Sequence, residues 1–353
     1  MKIDFLVNSL VSGGAERVLV LLANYFKKKG HDVSIITFNE PDIWKPNENI
    51  KRIRLHHGKI KNHMIRSFKN LTHYYYPKKN RPDVLISFMI QTNLIATIVS
   101  RFYGIKLIAS EHNNHLEKTD FIGRITRKYV YKFSNALTVL TNFDKAFYED
   151  RNVNVFVMPN PCTFDIYKET ERNRSKTILA VGALDRYHHK GFDNLIKMIG
   201  PVLANNPGWK LRLVGGGEDG TKFLKNLAEQ ENLNDNIIFE GFSTKVSEIM
   251  RDSDIYIMTS RFEGLPLVLL EAMSQGTVCI SYDCVSGPAE IINHNINGIL
   301  VENQNSELMC KELNELINKP EKRIEYANQG IKSLDRYQIE RIYTNYLEII
   351  EVL

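Results

Sequence analysis

The sequence lacks several features that mark whole classes of protein. No apolar run approaches the roughly 20 residues that a membrane-spanning helix needs, and the N-terminal stretch lacks the basic start and long apolar run of a secretory signal. Cysteine is scarce, with 4 residues in 353, and no C-x-x-C pair lies near histidines. Neither a zinc site nor a disulfide framework is therefore predicted, and we expect a cytoplasmic protein with reduced cysteines.

Acidic residues are also missing locally, from Lys51 to Arg81, where ten lysines and arginines lie. These cations are interleaved with Phe68 and the tyrosines at 74–76. Cations beside aromatic rings fit an anionic membrane surface, at about 1 kcal/mol per cation. A solvated helix and loop would explain the same pattern. No recognition motif accompanies the stretch, so nucleic acid is not an expected partner.

Strand-like and helical patterns alternate along the whole chain, which is typical of parallel sheets covered by helices. At 353 residues the chain suits two domains of about 150 residues each. We predict an α/β protein of two Rossmann-like, doubly wound domains, with ligands at the carboxyl ends of the strands. The predicted parts are an N-terminal domain over 1–165, a polar linker over 166–176, a C-terminal domain over 177–335 and a terminal helix over 336–353. This last helix is expected to pack back on the first domain.

A glycine turn, Gly215–Gly220, raises the possibility of a bound dinucleotide. Its spacing satisfies G-x-G-x-x-G, and the acidic Glu240 follows about twenty positions later, as in NAD-binding units. A dinucleotide fingerprint, however, normally follows the first strand of its unit. Here the strand-like run TILAVGAL comes earlier. The pattern therefore predicts a tight turn with no dinucleotide, and an NAD-dependent oxidoreductase is the alternative.

The segment SRFEGLPLVLLEAMSQG, residues 260–276, is the most informative. Pro266 suits the first turn of a short helix, whose free N–H groups favour a phosphate or a sugar oxygen. Glu263 precedes this helix and Glu271 lies on its second turn. Two such carboxylates can accept hydrogen bonds from the hydroxyls of one ligand. A surface helix residue and a loop acid would explain the same two positions.

This segment resembles the E-x7-E signature of retaining glycosyltransferases of family 4, which have the GT-B architecture of two facing Rossmann-like domains with a deep crevice between them. Further similarities occur in the family's order along nearly the whole chain. They are GGAER at 13–17, SEH at 110–112, VMPNP at 157–161, HKGFDNLI at 189–196 and LVGGGED at 213–219.

The resemblance implies a nucleotide-diphosphate sugar as donor, with a UDP-sugar expected, on the C-terminal domain. Glu271 would hold the ribose hydroxyls. Glu263 would contact the transferred sugar or stabilise positive charge at its anomeric carbon. Lys190 would neutralise the diphosphate, and the backbone N–H groups of Gly264 and Leu265 would complete these contacts.

One position departs from the family pattern. Where an arginine usually follows the first glycine, Gly182 is followed by Ala183. One of the two basic residues that would neutralise the diphosphate is therefore missing at its usual position. We expect Arg186 to substitute for it, and an exposed loop arginine is the alternative.

Other candidate residues lie on both domains. His112 is expected to contact the transferred sugar or the leaving phosphate, with a structural histidine as the alternative. Gly13 and Gly14 would let the backbone approach the diphosphate or the acceptor closely. Phe242 either stacks on the base or belongs to the core.

No metal ion or other cofactor is expected. Asp252-Ser253-Asp254 spells D-x-D, the manganese signature of another glycosyltransferase architecture, but it is interpreted as a surface turn. The resemblance implies a metal-independent, retaining transferase that moves a hexose or N-acetylhexosamine to a glycan acceptor. The basic stretch suggests a lipid-linked acceptor in bacterial surface polysaccharide synthesis, on the inner face of the plasma membrane. A nucleotide-sugar epimerase, a GT-B phosphorylase and a non-catalytic nucleotide- or glycan-binding protein are the alternatives.

Overall fold

The computed structural model describes residues 1–11, 13–167 and 174–353. The chain divides into two compact units. The first comprises Met1–Pro161 together with Tyr337–Leu353, and the second comprises Cys162–Arg336.

The first unit is built on a seven-stranded parallel sheet in the order β3-β2-β1-β4-β5-β6-β7. Its strands are β1 (Lys2–Val7), β2 (Asp32–Thr37), β3 (Lys51–Arg54), β4 (Val84–Phe88), β5 (Lys106–Glu111), β6 (Ala136–Val139) and β7 (Val155–Val157). Its helices are α1 (Gly14–Lys28), α2 (His63–Tyr75), α3 (Ile90–Tyr103), α4 (Phe121–Ile125) and α5 (Asn142–Glu149). All five residues of β4 are buried, as expected for a central parallel strand covered on both faces.

The second unit repeats this plan with a six-stranded parallel sheet in the order β10-β9-β8-β11-β12-β13. Its strands are β8 (Thr177–Val181), β9 (Lys210–Val214), β10 (Ile237–Gly241), β11 (Ile255–Met258), β12 (Val278–Tyr282) and β13 (Ile299–Val301). Its helices are α6 (Tyr187–Lys190), α7 (Phe192–Asn205), α8 (Glu218–Gln230), α9 (Val246–Asp252), α10 (Leu267–Ser274), α11 (Pro288–Ile291), α12 (Ser306–Asn318) and α13 (Pro320–Ser333). The strand order reverses between β8 and β11, which is where doubly wound sheets bind ligands.

The last helix, α14 (Ile339–Val352), belongs to the first unit. Its Tyr343 ring lies edge-on to Phe26 of α1, with ring centroids 4.8 Å apart, and its hydroxyl is 2.9 Å from Nε2 of His31. Tyr346 and Ile342 are buried, and burial of each large apolar side chain contributes roughly 1.5–3 kcal/mol. Aromatic contacts and burial thus hold the chain end against the unit that contains the chain start.

The residues around the predicted linker are attached to the second unit where they are described. The backbone N–H of Tyr167 donates to the carbonyl of Ser274 at 2.9 Å. The guanidinium of Arg174 donates to the carbonyls of Ser253 and Gly276. The part of the linker at 168–173 lies outside the described residues.

The predicted α/β fold with two Rossmann-like sheets is confirmed. The strand-like run TILAVGAL forms β8. The sequence pattern missed β3, which lies inside the basic stretch for which a solvated helix and loop was one of the two interpretations. Only Ile53 of its four residues is buried, so this edge strand carries almost no hydrophobic signal.

Candidate functional site

The candidate site lies at the carboxyl ends of β8 and β11, where the order of the second sheet reverses. The chain leaving β8 forms a 3-10 turn at Leu184–Arg186 and then α6, which ends at Lys190. The chain leaving β11 carries Glu263 and then enters α10. Parallel strands deliver both segments to the same edge of the sheet, although they lie far apart in sequence.

An ion pair joins these two segments. Nζ of Lys190 lies 2.8 Å from Oε1 of Glu263, and the hydroxyl of Ser260 donates to the same oxygen at 2.6 Å. The side chains of Lys190 and Glu263 are 18% and 11% exposed. Burial raises the pKa of Glu263, but the Lys190 ammonium and the two hydrogen bonds outweigh it, so the pKa lies below its usual value. Glu263 is therefore an ionised carboxylate at neutral pH.

The backbone around this pair is tightly fixed. Gly191 has a φ of +70°, and a Cβ at this position would lie 1.9 Å from the carbonyl oxygen of Thr259. The hydroxyl of Thr259 donates to the carbonyls of Lys190 and Gly191, each at 3.1 Å. Arg261 forms a bidentate pair with Asp193, at 2.8 and 3.2 Å. Only glycine fits at position 191, which explains the K-G sequence.

Glu271 lies on α10, as predicted, and its side chain is buried. The hydroxyl of Thr163 donates to Oε1 of Glu271. Thr163 is 108 residues away in the sequence, and no local pattern points to this contact. The hydrogen bond fixes the orientation of a carboxylate that is predicted to hold hydroxyl groups.

The loop between Glu263 and α10 is held from outside by a turn that the sequence reading missed. The hydroxyl of Ser286 donates to the carbonyl of Glu263 at 2.8 Å. A Cβ on Gly287 would lie 2.2 Å from the carbonyl oxygen of Gly264, so only glycine allows this approach. The backbone N–H groups of Gly264 and Leu265 have no acceptor among the described residues. They can therefore donate to an anion or to a sugar oxygen.

The glycine turn is held in place by contacts within its own unit. The N–H of Gly220, in the first turn of α8, donates to Oδ1 of Asp185 at 2.7 Å. A Cβ on Gly217 would lie 2.6 Å from the Asp185 side chain, and one on Gly215 would lie 1.7 Å from the carbonyl oxygen of Gly182. The carboxylate of Asp185 thus takes the place at the helix start that a dinucleotide pyrophosphate would need. Glu240 is paired with Arg212 at 2.9 Å.

A pocket of about 480 Å³ opens beside this turn. It is lined by residues 215–218, 221, 222, 225, 226, 241 and 242. Phe242 is 77% exposed, so the alternative of a core phenylalanine is wrong. It follows β10, the edge strand of the sheet, where no neighbouring strand covers it. The pocket adjoins the chain leading to Lys190, since the N–H of Leu184 donates to the carbonyl of Gly216 at 2.7 Å.

Arg186 is exposed and ends the 3-10 turn one turn before Lys190. Its guanidinium makes no hydrogen bond or ion pair with the described part of the chain. Burial lowers the pKa of His189, and the positive charge of Arg186 lowers it further, so this cation acts on the site. Its predicted substitution for the arginine absent at Ala183 stays a prediction.

His112 lies in the first unit, directly after β5, and is buried. Its ring stacks on Phe88 with centroids 4.6 Å apart, and its Nε2 is 3.3 Å from the hydroxyl of Ser110. Its Nδ1 is buried without a partner among the described residues. Burial lowers the pKa of His112 to about 3. The imidazole is therefore neutral and can donate or accept a hydrogen bond, but it carries no charge for a phosphate.

The predicted glycines of the first unit lie at the start of α1. Gly13 precedes this helix and Gly14 is its first residue. A Cβ on Gly13 would lie 2.0 Å from Oε2 of Glu16. This carboxylate covers the helix start, which disfavours a diphosphate there and leaves a neutral hydroxyl acceptor as the better match.

The basic stretch is more structural than its sequence indicated. Arg52 and Arg54 both pair with Asp42, at 2.9 and 2.7 Å, and Arg81 donates to the carbonyls of residues 75, 76 and 103. Tyr75 is fully buried, and its hydroxyl donates to Asp4. The lysines at 51, 59, 61, 69, 78 and 79 remain exposed. The exposed cations of this stretch are therefore mainly lysines.

The D-x-D sequence does not form the surface turn that was predicted. Ser253 and Asp254 are buried, because Asp254 faces Arg323 of α13 at 3.4 Å. Within 1–11, 13–167 and 174–353, no three or more His, Cys, Asp or Glu side chains form a group that could hold a metal ion.

The comparisons with known proteins agree with this architecture. Residues 12–164 match the model "Glycosyltransferase Family 4", and residues 163–333 match "Glycosyl transferases group 1". The amylovoran biosynthesis glycosyltransferase AmsD of Erwinia amylovora is 31% identical, over 96% of each chain. The chain belongs to glycosyltransferase family 4. The predicted family is thus confirmed.

Two other proteins are similar to this chain, one in sequence and one in fold. The first is the GalNAc-alpha-(1->4)-GalNAc-alpha-(1->3)-diNAcBac-PP-undecaprenol alpha-1,4-N-acetyl-D-galactosaminyltransferase of Campylobacter jejuni. It is 32% identical, over 99% of this chain and 98% of its own. The second is HepE of Anabaena, solved in complex with UDP, which shares the fold at a TM-score of 0.81 and 18% identity over the whole of both chains. Among the described residues of this glycosyltransferase, no helix is both long and apolar enough to cross a membrane.

Proposed function

We propose that this glycosyltransferase moves a hexose or N-acetylhexosamine from a UDP-sugar to a hydroxyl of a lipid-linked glycan, with retention of anomeric configuration and without a metal ion. The observation that carries the proposal is the largely buried ion pair between Lys190 and Glu263 at the switch point of the second sheet. The fixed carboxylate of Glu271 lies on the helix that follows Glu263.

The donor is proposed to bind through its diphosphate and its ribose. Lys190 supplies a full positive charge, and the N–H groups of Gly264 and Leu265 supply dipoles. Glu271 accepts hydrogen bonds from the ribose hydroxyls. The base enters the pocket beside the exposed ring of Phe242, since aromatic stacking and apolar contact suit a planar base.

Charge develops in two places when the bond to the sugar breaks. The leaving diphosphate gains negative charge, which Lys190 and the backbone N–H groups stabilise in a site with little water. The anomeric carbon gains positive charge, which the ionised carboxylate of Glu263 stabilises. In the front-side displacement usually drawn for this family, the leaving phosphate helps to take the proton of the acceptor hydroxyl. No dedicated side-chain base is then required.

The donor and acceptor classes rest on relatives. HepE has been solved with UDP and with UDP-glucose, which supports uridine as the base. The name of the Campylobacter jejuni relative places its substrate on undecaprenol diphosphate, and AmsD takes part in amylovoran biosynthesis. These names support a lipid-linked acceptor in bacterial surface polysaccharide synthesis. The enzyme would then work peripherally, on the cytoplasmic side of the plasma membrane.

The proposal is tested by transfer from a panel of UDP-sugars to an undecaprenyl-diphosphate-linked saccharide, in buffer with EDTA. The new linkage is read by NMR as the anomeric coupling constant. We expect one donor to give a product with the anomeric configuration of the donor, and Glu263→Gln to abolish most of the turnover. Isomerisation of the donor sugar in the absence of acceptor would identify an epimerase. Binding of donor without turnover would identify a non-catalytic protein.

A further inference from the structure

We propose that an aromatic and basic face of the first unit docks the enzyme on an anionic bilayer. The aromatic face consists of Phe121, Ile125, Tyr129 and Phe133, with Phe102 on the neighbouring helix α3. The inference rests on the proposed function in one respect, because a lipid-linked acceptor gives the bilayer a reason to be the partner.

The apolar side chains of this face are exposed and regularly spaced. Phe121, Tyr129 and Phe133 are 67%, 51% and 50% exposed, and Phe102 of α3 is 76% exposed. Residues 121–133 form α4, a π-helical turn and a 3-10 turn in succession, so these three exposed rings lie on one short helical segment. Clustered exposed aromatics mark an interaction surface, since soluble monomers rarely expose large apolar patches.

Cations are interleaved with these rings. Arg124, Lys128 and Lys132 also recur every four residues, and all three are exposed or partly exposed. Their charged groups lie 6.0, 5.1 and 5.3 Å from the ring centroids of Phe121, Tyr129 and Phe133.

This segment carries no acidic residue of its own. No aspartate or glutamate occurs from Phe121 to Phe143. The preceding Asp120 is engaged as the N-cap of α4, accepting the N–H of Gly123 at 2.7 Å. Rings at headgroup depth beside unpaired cations match an anionic lipid surface, whereas a protein interface is depleted of lysine.

The face is connected to the loop that carries His112. Nη1 of the buried Arg127, in the middle of the segment, donates to the carbonyls of His115 and Glu117 at 3.2 and 2.8 Å. Its Nε lies 3.6 Å from Oε2 of Glu111. One buried side chain thus joins the proposed lipid contact to the loop leaving β5. An acceptor headgroup held at that loop would have its lipid directed toward the same bilayer.

The two basic surfaces of the first unit therefore differ in role. The stretch from Lys51 to Arg81 offers lysines for long-range attraction. The aromatic face offers rings for insertion as well as charge. Helix α2, which carries one lysine, Lys69, packs against α3 and is a separate element from the aromatic segment.

The test is flotation of the full-length enzyme with vesicles of phosphatidylcholine, with and without phosphatidylglycerol. We expect wild type to prefer the anionic vesicles. The triple variant F121S/Y129S/F133S should lose at least ~10-fold in vesicle affinity. The variant R124Q/K128Q/K132Q should lose the preference for anionic lipid, because each cation is worth about fivefold.

Matched controls on and beside α2 separate the two surfaces. In 0.15 M salt, where charges beyond roughly 8 Å are screened, F68S/Y76S and K59Q/K61Q/K69Q should each stay within about threefold of wild type, because these residues lie outside the aromatic face. The proposal is overturned if F121S/Y129S/F133S binds vesicles like wild type, if lipid charge has no effect, or if light scattering shows a wild-type dimer that F121S/Y129S/F133S converts to a monomer.

Calorimetry with UDP separates this inference from the proposed function. All vesicle variants should bind UDP as wild type does, because the changes lie outside the donor unit. A wild-type enzyme that binds anionic vesicles but neither UDP nor UDP-sugars would leave the docking face standing and refute the proposed function. An enzyme that transfers sugar without binding vesicles would support the proposed function and refute the docking face.

Discussion

Replacement of Lys190 by methionine removes the cation on which the proposed chemistry depends. The ammonium is 2.8 Å from Glu263 and mostly shielded from water. A charge-assisted hydrogen bond to the diphosphate contributes about 1.5–3 kcal/mol, so donor affinity should fall about 10- to 150-fold. Methionine retains the length and apolar stem of lysine, and the loss therefore reports charge rather than packing.

The same change should make catalysis sensitive to pH. In the wild type, Lys190 counteracts the effect of burial and lowers the pKa of Glu263. Without it, burial raises the pKa of that carboxyl above its usual value. Glu263 then becomes protonated as the pH is lowered toward 5, and kcat should fall over a range in which the wild-type rate stays level.

The assay is steady-state transfer between pH 5 and 8 with the donor varied. Lys190→Arg, which keeps a charge, and Lys197→Met, which removes an exposed lysine of α7, are the controls. An unchanged donor affinity and an unchanged pH profile in Lys190→Met would refute the reasoning.

Five further changes test single residues. Glu263→Gln should mainly lower kcat and Glu271→Gln should mainly raise the donor KM, and steady-state kinetics showing the reverse would exclude this division of roles. Arg186→Ala should weaken UDP-sugar binding in calorimetry, and an unchanged affinity would end its role as the substitute cation. Phe242→Ala should weaken UDP binding by about 2- to 10-fold, whereas no effect would place the base elsewhere. Because His112 must stay neutral when folded, its pKa of about 3 predicts a loss of about 2 kcal/mol of unfolding free energy between pH 7 and pH 5, and urea titrations of His112→Asn should lack this contribution.

The sequence was sufficient for the sheets because parallel strands covered on both faces are buried at every position and mostly apolar, as in β4 and β12. The sequence was insufficient where an edge strand buries few of its side chains. Strand β3 buries only Ile53. Phe242 is large and apolar, as core residues often are, but it follows an edge strand. Only the strand order reveals that it is exposed.

The candidate site was predictable where one local pattern carries it, as for Glu263 and Glu271 around the start of α10. Its supports come from distant parts of the chain. Thr163 reaches Glu271 across 108 residues, and Ser286 reaches Glu263 across 23. Asp254 is buried because Arg323 neutralises it. Contacts of this kind depend on tertiary packing and leave no periodic signal in the sequence.

Calorimetric binding of UDP, GDP and NAD in buffer with EDTA tests the central claim most directly. We predict that UDP binds without metal, that NAD does not bind, and that Glu271→Ala weakens UDP binding, which would place the donor site on the second unit. Binding of NAD alone would contradict the account, since the glycine turn closed by Asp185 would then be the real nucleotide site.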